Sequence, residues 1–196
     1  MQSHRPPVRS TDDDPRAEEA APWLILSVDD DELVHTVTRR ALRDLRFEGR
    51  GMHVLSAESA AEAREKLARR PDIDLILLDV AMEGPHSGLD LLHELRQEPQ
   101  HRRTRIILRT GKRNLESPIE MVTRHEIDGF CPKGEVSLDA LQLLVVTSLR
   151  TARLLKELER SHRALAEARQ ALEHASDFPD SASPDRPAGT RDAPRS

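Results

Sequence analysis

Trp23-Leu24-Ile25-Leu26-Ser27-Val28-Asp29-Asp30-Asp31 decides the fold: an apolar run that ends on three consecutive acids. A short, almost unbroken apolar run reads as a strand buried on both faces, as in a parallel sheet. A second run, Leu75-Ile76-Leu77-Leu78, stops at Asp79 in the same way. In open α/β sheets, ligands bind beyond the carboxyl ends of the strands. If the two runs are neighbouring strands, Asp29, Asp30 and Asp79 gather at one sheet edge. Like charges held that close repel and call for a cation. Hard carboxylate oxygens suit Mg²⁺. The pattern therefore points to a metal-assisted phosphoryl site with an aspartate as acceptor.

Outward from these runs the chain alternates. The strand at 23–28 precedes a helical pattern over about 31–45, with Leu33, Val34, Val37, Ala41 and Leu45 on one face. Asp30 or Asp31 is placed to cap it. A turn at Phe47-Glu48-Gly49-Arg50-Gly51 leads to a strand at 52–57. Ser56 or Ser59 then caps a helix carrying Ala60, Ala63 and Leu67, which Pro71 ends. After the strand at 74–79, residues Gly84-Pro85-His86-Ser87-Gly88 read as a loop. A helix over about 88–98, with Leu89, Leu92 and Leu95 at helical spacing, runs into Pro99. A strand at 105–110, a helix near 117–125 and a strand at 127–131 follow. Five strands alternating with helices imply an α/β fold with a doubly wound parallel sheet.

The last helix starts near Ser137 and meets no stop signal until about Ala175. Leu141, Leu144, Ser148, Thr151, Leu155, Leu158, His162, Leu165, Arg169 and Leu172 recur at steps of three and four, a heptad seam with polar entries. The first two turns are expected to pack on the sheet. The remainder is expected to form a coiled coil that dimerises the protein or docks a partner helix, since its leucines would otherwise face water.

Composition narrows the classes. The chain has 196 residues with 33% charged and 37% hydrophobic residues, so a core must form from aliphatic side chains, aromatics being only 2%. A net charge of −5 speaks against a dedicated nucleic-acid binder. One cysteine, Cys131, permits no internal disulfide, which suits a reducing compartment. The N-terminus does not resemble a signal peptide, and no apolar stretch approaches the roughly 20 residues of a spanning helix. The expectation is a cytoplasmic protein without membrane insertion or nucleic-acid binding. By composition, residues 1–21 are a disordered arm and residues 176–196 a disordered tail. They flank a domain over 22–150 and a helical extension over 151–175.

Two further residues complete the site. Thr110 ends the strand Arg105–Arg109, where its hydroxyl can donate to a phosphoryl oxygen, and Gly111 after it leaves the acceptor open. Lys133 follows Pro132 at the end of the last strand, and an ammonium there can neutralise charge on a transferring phosphoryl group.

Val28-Asp29-Asp30-Asp31, Leu77-Leu78-Asp79-Val80-Ala81-Met82, Arg109-Thr110-Gly111 and Phe130-Cys131-Pro132-Lys133 together resemble the receiver domain of two-component response regulators. The resemblance covers about residues 22–150. The stretch Leu78–Glu83 with Gly88-Leu89, then Arg105–Gly111, more closely resembles receivers found ahead of an uncharacterised sensory module and a cyclic-di-GMP phosphodiesterase or kinase. The resemblance implies a three-layer, CheY-like sheet of order 2-1-3-4-5. It implies that Asp79 is phosphorylated, that Asp30 binds Mg²⁺ directly and Asp29 mainly through water, and that the carbonyl of Ala81 is a further ligand. Thr110 and Lys133 would hold phosphoryl oxygens, and Phe130 would stand at the position of an aromatic switch. The donor would be a histidine kinase or phosphotransfer protein. Signalling would run through contact with a protein effector, without a separate output domain and without enzymatic turnover of a substrate. Glu83 and Gly134 stand where the family often carries proline, which leaves the loop after Lys133 open.

Two rival readings differ in class. An adaptor or scaffold with a receiver-like fold would never be phosphorylated and would use the coiled coil constitutively; the intact set of acids argues against it. A phosphatase of the haloacid dehalogenase kind needs a second aspartate two residues after the nucleophile, and Ala81 stands there.

Overall fold

A computed structural model describes residues 21–82, 87–111, 118–134 and 137–176. The proposed arm and tail lie outside the described residues, apart from Ala21 and Ser176. Five strands form one parallel sheet: β1 (Trp23–Val28), β2 (Met52–Ala57), β3 (Leu75–Asp79), β4 (Arg105–Thr110) and β5 (Gly129–Pro132). Their order is β2-β1-β3-β4-β5. The helices are α1 (Glu32–Leu42), α2 (Ala60–Arg69), α3 (Ser87–Gln97), α4 (Pro118–His125) and α5 (Leu138–Ser176).

The central strands are buried on both faces because successive side chains alternate between two aliphatic layers. Leu24, Leu26, Ile76, Leu78, Ile106 and Leu108 face a cluster that includes Ala60, Ala63 and Leu67 of α2, Leu91, Leu92 and Leu95 of α3, and Met121 of α4. Trp23, Ile25, Leu75, Leu77, Ile107 and Cys131 face the other cluster, with Ala41 and Leu42 of α1 and Leu141, Val145 and Leu149 of α5. The register pairs Val28 with Leu78 and Asp79 with Arg109. The strands therefore finish together, and the residues just beyond them share one edge.

Local chemistry sets the element ends. Asp31, not Asp30, caps α1, accepting from the Leu33 amide at 2.8 Å. Ser59, not Ser56, caps α2, accepting from the Glu62 amide at 3.1 Å. Ser87, read from turn chemistry as loop, already belongs to α3, which starts one residue before the expected Gly88; Gly84-Pro85-His86 lie outside the described residues.

Two helix faces differ from the expectation. In α1 the buried residues are His35, Thr38, Ala41 and Leu42, while Leu33 is 67% and Val37 50% exposed. The helix presents polar side chains to the sheet because they find partners there. His35 Nδ1 lies 3.1 Å from Ser27 Oγ, and Thr38 Oγ1 both donates to the Val34 carbonyl and accepts from Arg109. A buried polar group with its bonds made carries little penalty.

In α5 the buried stripe is Leu141, Val145, Ser148, Leu149 and Ala152, with Thr151 of the expected seam exposed. Packing on the sheet thus runs well past two turns, with Lys156 paired to Asp74, itself an acceptor from the Leu24 amide. A straight helix keeps one face on a flat sheet at a period of 3.6 rather than 3.5, so the stripe drifts off the heptad positions.

The chain divides into two compact units at Lys156. In the second, α5 continues as helix, with Leu158, Leu165 and Leu172 exposed. Among the described residues no helix is long and apolar enough to cross a membrane.

Candidate functional site

The carboxyl edge of the sheet gathers the acids. β1 delivers Asp29 just after Val28, with Asp30 next to it, and β3 delivers Asp79 as its last residue. Asp29 and Asp79 are buried and Asp30 is exposed. One carboxylate oxygen from each lies within 4.8 Å of the others. Two backbone amides orient the buried pair: Asp31 N–H donates to Asp29 at 3.1 Å, and Ala81 N–H to Asp79 Oδ1 at 3.3 Å.

Lys133 stands opposite. Its Nζ lies 2.8 Å from Asp29 Oδ2 and 2.9 Å from Asp79 Oδ2, bridging two strands that are 104 and 54 residues away along the chain. The Lys133 amide donates to the Thr110 carbonyl at 2.8 Å, which sets where the side chain begins. Gly134, with φ of +79°, then turns the chain through the left-handed region, the part of the path that the family pattern left open.

The electrostatics follow from burial and from this bridge. Burial raises the pKa of Asp29; hydrogen bonds from Lys133 and the Asp31 amide, with the Lys133 charge, offset part of the rise, and the Asp79 charge adds to it. Burial alone would lower the pKa of Lys133, but the hydrogen bonds and charges of Asp29 and Asp79 outweigh it and leave the ammonium above its ordinary value. Three carboxylates against one ammonium leave the cluster with an excess of negative charge. A hard, oxygen-only donor set with that excess fits a divalent cation such as Mg²⁺. Lys133→Met should cost about 1–3 kcal/mol of stability by leaving buried carboxylates without their cation. Mg²⁺ should restore most of the lost melting temperature, which thermal denaturation with and without Mg²⁺ will measure.

The remaining candidates lie nearby. Thr110 is buried at the end of β4. Phe130 on β5 sits opposite Leu108 of β4, half-buried against the cluster of α2, α3 and α4. Ala81 stands two residues after Asp79 and is partly exposed. Sequence reading missed two contributors. Gly88 passes directly over the end of β3, where an added Cβ would lie 2.0 Å from the Asp79 carbonyl oxygen. Arg109 is buried beside Asp79 and bonds to α1. Both residues lie in the stretches that carry the family resemblance, which gave neither of them a role.

Comparison with known proteins identifies the family and the fold. The family profile described as the response regulator receiver domain matches residues 25–145. The chain is 41% identical over 132 residues to the 3'3'-cGAMP-specific phosphodiesterase 2 of Vibrio cholerae, covering 67% of this chain and 25% of that protein. It is 40% identical over 80 residues to the nitrate/nitrite response regulator NarP of Escherichia coli, covering 41% of this chain and 35% of that protein. It thus spans between a quarter and about a third of the length of these curated relatives. Among solved structures, the signal receiver domain of a LuxO repressor protein from Vibrio parahaemolyticus has the same fold, with a TM-score of 0.60 at 20% identity over 70% of this chain and 98% of that one. The profile match spans more than half of the chain, and the strand order is that of this fold: the chain belongs to the response regulator receiver family.

Proposed function

We propose that residues 22–150 act as a phosphorylation switch with Asp79 as the acceptor. Receivers as a family are signalling domains that take a phosphoryl group from histidine kinases and bind Mg²⁺ at an acidic pocket. In this chain Asp30, Asp79 and the Ala81 carbonyl would hold the ion directly, and Asp29 mainly through water. Bound there, Mg²⁺ would supply positive charge to the transferring oxygens.

The chain's own residues do the rest. An Asp79 carboxylate oxygen attacks the phosphorus of a phosphohistidine on a kinase or phosphotransfer protein. The P–O bond to Asp79 forms as the P–N bond breaks, and the imidazole leaves. Such a transfer needs positioning and positive charge more than covalent help. Lys133 holds one oxygen of the transferred group and Thr110 another. Phe130 moves with Thr110, carrying the change to the surface where a protein effector binds. Adding about −1.5 to −2 of charge at one buried point is a local event that biases such a two-state element. Residues 151–175 serve as the coiled-coil extension, pairing two copies or a partner helix.

The observation that carries the reading is the bridge from Lys133 to Asp29 and Asp79 beside a three-carboxylate cluster. The full chain incubated with phosphoramidate and Mg²⁺ should gain the mass of one phosphoryl group, and chelation by EDTA should prevent it. A chain that stays unlabelled with Mg²⁺ would favour the scaffold reading.

A further inference from the structure

Arg109 is the only lysine or arginine among the described residues that is buried, at 8% exposure. A buried charge is costly unless something compensates it. The compensation visible at its guanidinium is modest. Nη1 donates to Thr38 Oγ1 at 2.6 Å, a neutral hydroxyl, and Nε has no hydrogen-bond partner. Cys131 is the other neighbour, and burial drives its thiol pKa up while Arg109 draws it down. Neither contact supplies a full negative charge.

The register places an acid on the adjacent strand. Arg109 pairs with Asp79 across β3 and β4, and with Cys131 across β4 and β5. Side chains alternate along a strand, so Leu75, Leu77 and Asp79 share a face, as do Ile107 and Arg109. Leu75, Leu77, Ile107 and Cys131 all belong to the layer under α1 and α5. Arg109 therefore enters the same layer as the Asp79 side chain, one strand across. Asp79 belongs to the three-acid cluster, whose negative charge exceeds what Lys133 supplies. The turning of α1 fits this placement. Thr38 occupies a buried position that an apolar residue would ordinarily fill, and its hydroxyl receives the guanidinium.

We propose that Arg109 is a positioning residue for the acid pocket, a permanent buried counter-charge that sets how tightly the pocket holds a divalent cation. The proposal rests on the Mg²⁺ reading of that pocket and adds a residue to it. Arg109 repels an incoming cation, while Lys133 competes for the same carboxylates. Affinity for Mg²⁺ is thereby held down, which keeps the ion exchangeable.

Arg109→Met replaces the guanidinium by an apolar chain of similar length. It should bind Mg²⁺ more tightly than the wild type, on the order of tenfold, measured by calorimetry on the full chain. Arg109→Lys keeps the charge and should stay close to wild type. Because the charge is buried, the gain should survive added salt, unlike the effect of a surface charge. A merely structural arginine predicts the opposite sign, since loosening the strand end would weaken the site. Folded Arg109→Met with unchanged or weaker Mg²⁺ affinity overturns the proposal. Should that variant not fold, Arg109→Gln loses the charge but keeps a donor toward Thr38, and the same outcomes apply. A wild type that binds no Mg²⁺ would overturn the pocket reading itself, and this inference with it; a wild type that binds while Arg109→Met changes nothing removes only the inference.

Discussion

Asp79→Asn is expected to abolish phosphoryl uptake while leaving the fold intact. The amide oxygen is a poor nucleophile, and no neighbouring carboxylate can replace it. Asp29 is buried and already engaged by Lys133 and by the Asp31 amide, and Asp30 lies on the exposed side of the cluster. The backbone contact survives the change, because the amide oxygen can still accept from Ala81 N–H. Lys133 keeps its ion pair to Asp29, so no buried cation is left alone. Removing one of three like charges also relieves repulsion. The melting temperature without Mg²⁺ should therefore not fall, and Mg²⁺ affinity should drop about tenfold or more as one ligand charge is lost. Mass spectrometry after phosphoramidate treatment should show a single added phosphoryl group on the wild type and none on the variant. A full equivalent on Asp79→Asn would place the acceptor elsewhere.

Gly88→Ala should produce the largest loss of stability from a single added methyl group. The new Cβ would stand 2.0 Å from the Asp79 carbonyl oxygen, 2.8 Å from Val80 Cα and 3.0 Å from the Asp79 carbonyl carbon. All three are backbone atoms, so no side chain can swing aside. Either α3 lifts or the end of β3 shifts, and both disturb the residue that carries the proposed phosphate. A forced shift of packed backbone costs about 3 kcal/mol or more, and a melting temperature lower by roughly 10 °C follows for a domain of this size. Phosphoryl uptake should slow in parallel, because a small misplacement of a reacting group is costly. Gly129→Ala is the matched control. Its Cβ would meet Leu144 Cδ1 at 2.9 Å, the end of a flexible side chain that can rotate away. A change of less than about 1 kcal/mol is expected there. Equal losses in the two variants would mean that the close approach of α3 to β3 has no special weight.

The strands and the acids were legible because their signals are local. An apolar run ending in aspartate needs no partner to be recognised, and all five strands lie at or within three residues of the expected positions. The grouping of Asp29, Asp30 and Asp79 followed from strand ends alone. Helix faces were harder. Leu33 and Val37 look like core and are exposed, because α1 turns His35 and Thr38 inward to serve Ser27 and Arg109. That choice is made by residues on other strands, which periodicity within the helix does not register. The heptad reading of α5 likewise missed Val145, Leu149 and Ala152, since a helix against a sheet and a helix in a supercoil differ by only about 0.1 residue per turn. Gly88 escaped because its importance lies in a close approach to a backbone in the neighbouring element. Arg109 escaped because an arginine inside an apolar strand reads as a surface residue until its burial is seen.

In the proposed switch, carboxylates from two strand ends surround one divalent ion, with the Lys133 ammonium, just beyond a third strand, beside Asp79. A crystal structure of the full chain grown with Mg²⁺ and beryllium trifluoride tests it most directly. The expected result is an ion at about 2.0–2.1 Å from oxygens of Asp30 and Asp79, with the fluoride group on Asp79 and Lys133 Nζ turned from Asp29 toward it. An ion bound away from these aspartates, or an Asp79 left bare with Lys133 still bridging it to Asp29, would contradict the account.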